Sequence, residues 1–579
     1  MIRFFSVLSV FMVASLFTSG IYAQITEDFP TNLPRELTEE EKERWHEVGM
    51  FFNPTVPPES VYRSIAEFER NEGVLIRYSV GAPLAWPLDL IATFSEHVKV
   101  YTLVADASVE AQATNVFSSA GVDMDNVIFI QHPTNSVWTR DYGPFYIVNE
   151  NHQISILDFI YNRPRPFDDA VPETLADVLN LPFYGMDVIH TGGNYMTDSW
   201  GIAASTDLIW EENQGDTLFV ENRMREFAGI EKYVATEDPQ QTYLKHIDTW
   251  AKYLDVDKIM IARVPQSNPN YQLHEEVVAY FQSLTSGYGT PYQIFRVDTP
   301  MGQPYTNALI LNERVYVPIT GSATWDQRAI EAYEEALPGY EILGFRGNPS
   351  FDWLSTDALH CRVKEIPDRG MLSLRHIPYS GEVNFTNELD FEIDIRPHSG
   401  FDLISDSLFL MISINEADFD TLLLSSVDDV RHRVQVPLDE TVETISYYFF
   451  AADESGRREH FPLIGEKGAR SFQINHGPLS AENEGTPTNA ILAENYPNPF
   501  NPSTIIRFAL TEQSNVRLEV FDITGRRIAL LVDERLGKGN YQSVFDASNL
   551  SSGLYFYQIV ARQSNGETLT ATGKMTLIK

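Results

Sequence analysis

The sequence predicts an α/β domain followed by two all-β domains. In the first part, apolar runs such as GVLIRY, VKVYTLV and KIMIARV alternate with helix-compatible stretches at 273–284 and 329–337. Farther on, helical patterns fade and short alternating strands such as FEIDIRP and LFLMISIN take over, as in a small β-sandwich. The last part is again strand-like and is punctuated by Gly and Asn.

The N-terminus has the layout of a secretory signal peptide. Arg3 precedes an apolar run over residues 4–17, and small residues allow cleavage after Ala23. The alternative is a membrane anchor, but the run is too short to cross roughly 30 Å of hydrocarbon comfortably. We therefore expect an exported chain without an integral membrane span.

Shifts in composition divide the rest of the chain. A leader rich in charge and proline precedes the α/β domain, and the stretch GPLSAENEGTPTNAI separates the two β domains as a linker. The predicted order is signal peptide 1–23, leader 24–60, α/β domain 61–370, β-sandwich 371–476, linker 477–491 and C-terminal all-β domain 492–579.

Charge and cysteine content narrow the functions that the chain can have. Lys and Arg number 42 against 81 Asp and Glu, a net charge of −39, so binding to nucleic acid or anionic lipid is not expected. Cationic small molecules and Arg- or Lys-containing peptides suit this field better. Cys361 is the single cysteine, which excludes an intrachain disulfide and a multi-thiolate metal site. In an exported chain it is either a reactive thiol or a buried structural residue.

Four polar clusters interrupt the patterns of the α/β domain. They are WTRDYGP at 138–144, HID at 246–248, GQPYTN at 302–307 and HCR at 360–362. Each alone has a plain structural interpretation, such as a solvated turn or a strand edge. On a strand, the His and Asp of the second cluster would point to one face. Together the clusters offer a thiol, an imidazole, two carboxylates and an amide.

This set of groups fits the hydrolysis of a guanidine. Two carboxylates can hold a planar guanidinium through paired charge-assisted hydrogen bonds, which exposes its central carbon to a thiolate. A histidine then protonates the departing amine and later activates the water that releases a ureido product. A Cys-His protease uses the same two groups, but it needs an oxyanion hole and has little use for two substrate-facing carboxylates.

The motifs W-x-R-D-x-G-P and H-x-D and the late Cys resemble the guanidine-modifying deiminases of the pentein fold, a five-bladed α/β propeller. The chain is most similar to the bacterial peptidylarginine deiminases, over about residues 60–372. SIAEFERNEGVLIRY at 64–78, HTGGNYMTD at 190–198 and SFDWLSTDALHCRVKEIPDRGML at 350–372 carry the likeness. The β-sandwich resembles the Ig-like domain that follows the catalytic domain in this family.

The C-terminal domain resembles the sorting domain of the type IX secretion system. NYPNPFNPST, VFDITGR, SSGLYFY and the final KMTLIK carry the resemblance. It implies passage across the outer membrane by that secretion machinery, removal of the segment, and a protein that ends secreted or attached to the cell surface. The alternative is an ordinary terminal β domain with a binding role.

The deiminase resemblance implies a catalytic centre of five residues: Cys361 as nucleophile, His246 as general acid/base, Asp141 and Asp248 as the guanidinium clamp, and Asn307 as the orienting amide. Trp138 would form a wall of the pocket. The family's bacterial members imply no cofactor and no calcium, and the acidic runs here lack EF-hand spacing. His360 is expected to be a packing or hydrogen-bonding neighbour, because adjacent strand residues face opposite ways.

The segment NRPRP bears on the substrate. Arg163 and Arg165 alternate with prolines, which predicts a stiff extended stretch with both guanidinium groups on one side. Such a pair can capture a carboxylate, which agmatine lacks and a C-terminal arginine has. The bacterial peptidylarginine deiminases carry a similar pair in this role. The alternative is a structural ion pair to Asp168 or Asp169, and Tyr243 is expected to line the same pocket.

Three functions follow from the sequence. The preferred one is a secreted peptidylarginine deiminase that acts on arginine-containing peptides or proteins and favours a C-terminal arginine. The second is an agmatine deiminase, which NRPRP and the predicted export disfavour. The third is a non-catalytic surface adhesin on a deiminase scaffold, which the complete set of reactive residues disfavours.

Overall fold

The computed structural model describes residues 32–59, 63–79, 85–149, 152–476, 493–496, 503–510, 513–523, 525–537, 539–547, 550–563 and 568–577. The predicted signal peptide lies outside these residues, as does the whole of the predicted linker. Contacts divide the chain into two compact units, Met1–Gly477 and Pro478–Lys579. No helix among the described residues is long and apolar enough to cross a membrane.

The described residues between 63 and 367 form five sheets, each with both antiparallel and parallel neighbours. In order of pairing, the sheets are Lys364–Pro367, Asn71–Arg77, Lys99–Val104 and Val127–Gln131; Arg63–Ser64, Phe145–Val148, Ile154–Tyr161 and Phe183–His190; Lys232–Thr236, Ile202–Thr206 and Met196–Thr197; Ala251–Asp255, Lys258–Arg263 and Gln293–Asp298; Leu309–Leu311, Arg314–Ile319 and Glu341–Arg346.

Helices connect the two strands of each parallel pair, because parallel neighbours need a crossover. The predicted helical stretches belong to two of them, Tyr271–Ser283 and Ala323–Ala336, which confirms the α/β reading of this region. The other crossover helices are Leu88–His97, Ala107–Ser119, Pro166–Asp169 with Val171–Leu179, and Leu208–Glu212 with Thr217–Ala228. They bury one apolar face on the sheets, as Leu90, Ile91 and Phe94 do in the first of them.

The first sheet joins the two ends of this region. Its strand Lys364–Pro367 pairs antiparallel with Asn71–Arg77, so that Lys364 lies opposite Leu75 and Glu365 opposite Val74. The turn that carries Cys361 directly precedes this strand. The predicted nucleophile is therefore held by the contact that closes the α/β region.

Two sheets share one apolar core in the following region. The core includes Phe391, Ile393, Leu410, Ile445 and Tyr447, and alternate residues of the long strands face it. The sheets comprise Leu372–Arg375, Glu388–Pro397, Arg431–Pro437 and Ser425–Ser426, and Glu382–Asn384, Arg470–Asn475, Thr444–Ala452, Phe409–Ile414, Asp420–Leu423 and Arg458–Phe461.

The C-terminal unit is all-β in its described part. Val516, Leu518 and Val520 alternate with outward-facing residues and pack in its core with Ile559. Its two sheets are Ala493–Tyr496, Ser503–Leu510 and Gly539–Asp546, and Arg527–Leu536, Ser514–Asp522, Gly553–Gln563 and Thr568–Leu577.

Leader residues 32–59 lie against the α/β domain. Leu33 N donates to Asn135 O at 2.8 Å, and Thr55 N donates to Gly185 O at 2.9 Å. Between these two contacts, Thr38 begins the short helix Glu39–Glu43 with a reciprocal capping box. The leader is thus an ordered part of the first unit and carries acidic side chains to the NRPRP segment.

Candidate active site

Cys361 lies in a 3-10 turn, His360–Arg362, and its side chain is 2% exposed. Asn307 holds it from two sides: Oδ1 accepts from Cys361 N at 3.2 Å, and Nδ2 donates to Sγ at 3.3 Å. The backbone oxygen of Asn307 also accepts from His360 N at 3.1 Å. A donor aimed at sulfur favours the thiolate, so Asn307 is placed to orient the thiol and to stabilise its anion.

The H-x-D motif forms a turn and not a strand. His246 precedes a 3-10 turn, Ile247–Thr249, and Lys245 before it has a left-handed φ of 51°, which interrupts any extended course. Asn194 anchors the turn by accepting from Ile247 N at 3.2 Å. Asp248 Oδ2 nevertheless lies 3.8 Å from Cys361 Sγ, so the turn delivers the carboxylate to the thiol.

Asp141 lies in the short helix Thr139–Tyr142, just after Trp138. Thr139 Oγ1 donates to Arg362 O at 2.7 Å and ties this helix to the cysteine turn. Asp141 Oδ1 is 3.5 Å from His246 Nδ1. The structure thus brings together all five residues predicted for the catalytic centre, from four separate segments.

A glycine makes the approach of His246 and Asp141 possible. A Cβ on Gly193 would lie 2.5 Å from His246 Nδ1 and 2.6 Å from Asp141 Oδ1, closer than real Cβ contacts. Gly193 belongs to HTGGN at 190–194, part of a motif that carries the family resemblance but for which the sequence alone suggests no role. Within this motif, Gly193 leaves room for His246 and Asp141 to approach each other, and Asn194 anchors the turn that follows His246.

The two carboxylates have opposite electrostatic environments. Burial, and then the negative charge of Asp248, raises the pKa of Asp141 to about 8. Burial alone would also raise the pKa of Asp248, but the hydrogen bond and charge of His360 outweigh it and lower that pKa. In the empty site at neutral pH, Asp248 is therefore the anion and Asp141 carries a proton.

The same environment keeps the thiol and the imidazole neutral. Burial lowers the pKa of His246 to about 3. Burial, followed by the charges of Asp248 and Asp141, raises the pKa of the Cys361 thiol well above its ordinary value. The thiolate and imidazolium pair expected for catalysis is therefore not the resting form. A bound cation would lower the pKa of the thiol and so favour the thiolate.

Four buried polar atoms of this centre have no hydrogen-bond partner within the described part of the chain. They are Asp141 Oδ1, Asp248 Oδ1 and both ring nitrogens of His246. Buried polar atoms are rarely left unpaired, because each lost hydrogen bond costs about 1–3 kcal/mol. A ligand that is rich in N–H groups would satisfy these atoms.

Arg165 is buried at 1% exposure and already has a carboxylate partner. Its Nε donates to Glu41 Oε1 of the leader at 2.6 Å, and its Nη2 donates to Pro34 O at 2.7 Å. The guanidinium lies 5.6 Å from the ring centroid of Trp138, which is itself buried. The structure therefore contradicts an Arg165 that is free to receive a substrate carboxylate.

The alternative ion pair is not formed either. In the described structure, Asp168 accepts from Ser136 Oγ at 2.6 Å and Asp169 accepts from Tyr161 N at 2.8 Å, and neither pairs with an arginine. The predicted extended course of NRPRP is also wrong. Arg163 N donates to the oxygen of Tyr161 at 2.8 Å, and Arg165 N donates to the oxygen of Arg163 at 2.8 Å, so two consecutive γ-turns bend the backbone.

Arg163 is the arginine of the pair that remains partly exposed. Its Nη1 donates to Asn162 O at 2.8 Å, and it forms no ion pair with a described residue. Its positive charge acts on Asp141, His246 and Tyr243 alike. Tyr243 is 52% exposed, and burial of its hydroxyl raises its pKa to about 12. Arg163 and Tyr243 thus lie between the centre and solvent.

Sequence reasoning missed a buried charge network behind the thiol. His360 Nε2 lies 2.6 Å from Glu67 Oε2, Lys252 Nζ lies 2.7 Å from Glu67 Oε1, and Arg140 Nη2 lies 2.6 Å from Glu365 Oε2. Four of these five residues belong to motifs that carry the family resemblance; Lys252 does not. Their mutual contacts could not be seen, because the partners are far apart in the chain.

The fold and this centre define the class of the protein: a hydrolase that acts on the C–N bond of a guanidino group. The family model of the Porphyromonas-type peptidyl-arginine deiminase matches residues 65–367, and that of the secretion system C-terminal sorting domain matches residues 494–570. The chain belongs to this deiminase family. The sorting domain indicates type IX secretion to the cell surface or the exterior.

Named relatives include agmatine deiminases. The chain is 20% identical to the agmatine deiminase of Medicago truncatula over 298 residues, 42% of this chain and 79% of the relative. Among solved structures, the agmatine deiminase of Enterococcus faecalis shares 17% identity with a TM-score of 0.47, covering 54% of this chain and 98% of the other. The agmatine deiminase of C. jejuni shares 21% with a TM-score of 0.44, covering 53% and 96%.

Proposed function

We propose that the protein is a secreted peptidylarginine deiminase that converts peptidyl-arginine, preferably at a peptide C-terminus, to peptidyl-citrulline and ammonia. One observation carries the proposal: buried, unpartnered polar atoms of Asp141, Asp248 and His246 surround the single thiol. Carboxylate oxygens and a neutral imidazole are acceptors for the N–H groups of a guanidinium. The guanidinium would also supply a positive charge next to Asp248, where the neutral imidazole of His246 supplies none.

The proposed reaction begins with a neutral Cys361 thiol and a neutral His246 imidazole. His246 takes the proton of Cys361, and the thiolate forms a C–S bond to the guanidinium carbon. His246 then passes that proton to the departing nitrogen, so the C–N bond breaks and ammonia leaves a thiouronium. Water gives a proton to His246 and attacks the same carbon. The C–S bond then breaks, the added hydroxyl loses its proton to solvent, and a ureido product leaves. His246 returns its proton to the sulfur and regenerates the thiol.

Exposure and charge support a peptide substrate through Arg163. Its guanidinium forms no ion pair with a described residue, and its charge acts on Glu212 as well as on Asp141 of the clamp. A C-terminal arginine would bring its own carboxylate to this position while its side chain enters the centre. The acidic chain as a whole favours cationic peptides. Arg165 would take part only if Glu41 moved away.

Three substrates test the proposal: a peptide that ends in arginine, the same peptide amidated at its C-terminus, and agmatine. For the wild-type protein we expect the highest citrulline yield from the free carboxylate. Arg163→Ala should lower kcat/KM for that peptide roughly ten- to a hundredfold, the worth of a hydrogen bond to a charged group, and leave the amidated peptide unchanged. Arg225→Ala, an exposed arginine paired with Glu231, is the matched control.

The other outcomes decide between the remaining functions. Turnover of agmatine alone would establish an agmatine deiminase, the second candidate, which the engagement of Arg165 by Glu41 favours because it removes one of the two predicted carboxylate ligands. No turnover of any substrate by protein with an intact thiol would leave the adhesin. Arg165→Ala is a poor probe, since it would leave Glu41 buried without its partner.

Substrate binding is expected to release a proton below about pH 8. Asp141 is protonated there, because burial, and then the charge of Asp248, raises its pKa to about 8, and a cation beside it lowers that pKa again. Calorimetric titration of the Cys361→Ala variant with an arginine peptide, in buffers of different ionisation enthalpy, measures the proton. Close to one should leave at about pH 6 and none at about pH 9.5. Release that persists in Asp141→Asn would contradict the assignment.

The remaining predictions on architecture are part of this proposal. The five sheets would be the blades of a pentein propeller, and the two sheets that share a core would be an Ig-like domain with a supporting role. The signal peptide would direct export, and the sorting domain would engage the type IX machinery before its removal. Arginine-containing peptides outside the cell would be the partners of the mature protein.

A further inference from the structure

A line of three side chains leads away from the clamp: Asp248 and His360 are buried, and Glu67 is half-buried. Asp248 Oδ2 lies 2.7 Å from His360 Nδ1, and His360 Nε2 lies 2.6 Å from Glu67 Oε2. Asp248 Oδ2 is also the atom that lies 3.8 Å from the thiol of Cys361. The imidazole of His360 is therefore held between two carboxylates, one in the centre and one behind it.

This arrangement determines the form of the imidazole. An ionised carboxylate only accepts hydrogen bonds, so His360 can serve both partners only when both ring nitrogens carry hydrogen. A neutral ring would leave one buried carboxylate oxygen facing a lone pair. The contacts thus require the imidazolium, whose charge lies directly against Asp248.

Glu67 is fixed independently of His360. Its Oε1 accepts from Lys252 Nζ at 2.7 Å and from Ile310 N at 2.8 Å, and Arg140 lies 3.4 Å from Oε2. Burial alone would raise the pKa of Glu67, but Lys252 and His360 outweigh it and lower that pKa. The residue is a rigid anion on which the imidazolium can rest.

The two clamp carboxylates show the effect of a hydrogen-bonded cation on the pKa of a buried aspartate. No cation among the described residues is hydrogen-bonded to Asp141, and burial, then Asp248, raises its pKa to about 8. Asp248 is equally buried, yet its pKa is lowered. The titratable and charged groups that act on Asp248 are His360, His246, Arg140 and Lys252, with Cys361 and Asp141 nearby. Of these, His360 is the group hydrogen-bonded to its carboxylate.

We propose that Glu67 is a positioning residue of the deiminase centre: it holds His360 as a doubly donating imidazolium, which orients Asp248 and keeps it an anion for the cationic substrate group. Glu67 does not touch the substrate, and it acts through His360. The inference rests on the part of the proposed function in which Asp248 binds a guanidinium. It does not depend on whether that guanidinium belongs to a peptide or to agmatine.

Two alkylating agents test the role without any peptide. In each case the Cys361 thiolate forms a C–S bond and halide leaves; chloroacetamidine is a cation that mimics a guanidine, and iodoacetamide is neutral. For Glu67→Gln at neutral pH, we expect the chloroacetamidine rate to fall about tenfold relative to the iodoacetamide rate, the loss that follows if the pKa of Asp248 rises to about one unit above the working pH. The iodoacetamide rate should stay level or rise, because a neutral Asp248 no longer raises the pKa of the Cys361 thiol. The cationic rate should recover as pH rises, because Asp248 then ionises without His360.

The matched control is Glu69→Gln. Glu69 lies in the same short segment, is paired with buried Arg63 at 2.7 Å, and does not contact His360. It should leave the ratio of the two alkylation rates unchanged. A Glu67→Gln protein whose ratio and pH profile equal those of the wild type would overturn the proposal.

A second pair of variants separates positioning from a merely structural role and covers the case in which Glu67→Gln does not fold. His360→Asn keeps an N–H toward Asp248 but loses the charge and the reach to Glu67, so it should lower the cationic rate by itself. Adding Glu67→Gln to it should then change the ratio no further. A normal ratio in His360→Asn, or additive losses in the double variant, would contradict the proposal. Cation-selective labelling without turnover of any peptide would refute only the peptide specificity.

Discussion

The Cys361→Ala variant is expected to lose turnover completely and to keep its fold. The thiol is the single cysteine of the chain and the group that would form the C–S bond to the guanidinium carbon, and no second nucleophile adjoins the clamp among the residues described. Removing one buried sulfur leaves a small cavity, which costs about 1 kcal/mol. Citrulline release and thermal unfolding, measured on the same preparation, check both halves of the expectation.

Chemical blocking of the wild-type protein provides a control for this variant. Chloroacetamidine should abolish turnover of the wild-type protein by alkylating Cys361, and it should find no site of attack in Cys361→Ala. A mass increase on the alanine variant would mean that the label reports on another residue. More than a trace of activity in the alanine variant would refute the covalent mechanism.

Gly193→Ala is expected to lower kcat/KM at least a hundredfold. The added methyl group would lie 2.5 Å from His246 Nδ1 and 2.6 Å from Asp141 Oδ1, so the acid/base group and one clamp carboxylate must both move. Misplacement of reacting groups by about 1 Å can cost a factor of about 100 in rate. Steady-state kinetics measure the loss, and circular dichroism with thermal unfolding shows whether the domain remains folded.

Gly537→Ala is a matched control. Its methyl group would meet only Tyr541 Oη, at 3.8 Å, which is an ordinary contact. Activity of this variant should equal that of the wild type. If Gly193→Ala were also fully active, His246 and Asp141 could not be the groups whose spacing governs the reaction.

Sequence reasoning found the residues that carry reactive groups, because such groups stand out against apolar patterns. Two of the predicted residues lie close to the thiol: Asn307 Nδ2 is 3.3 Å and Asp248 Oδ2 is 3.8 Å from Cys361 Sγ. The backbone around them was less predictable. A left-handed residue at Lys245 converts the expected strand at 246–248 into a turn, and such a conformation leaves little trace in a single sequence.

Support for the reactive residues was the part that sequence could not supply. Glu67 and His360 are 293 residues apart, and neither has a local pattern that points to the other. Glu41 and Arg165 are 124 residues apart, and the charge of Glu41 looked like one more acidic residue of a solvated leader. Such contacts depend on which strands become neighbours, and alternation of strands and helices predicts the kind of sheet but not the pairing.

The pairing of Lys364–Pro367 with Asn71–Arg77 means that the active site can form only when both ends of the α/β region are present. The turn that carries Cys361 lies near the C-terminal end of the α/β region, and its supporting strand pairs with a strand near the N-terminal end. Contacts between such distant segments form slowly, since a long loop must close first. A truncated chain that ends just before residue 364 would thus lack the strand that supports the Cys361 turn, and we expect it to lack deiminase activity even though it contains every predicted catalytic residue.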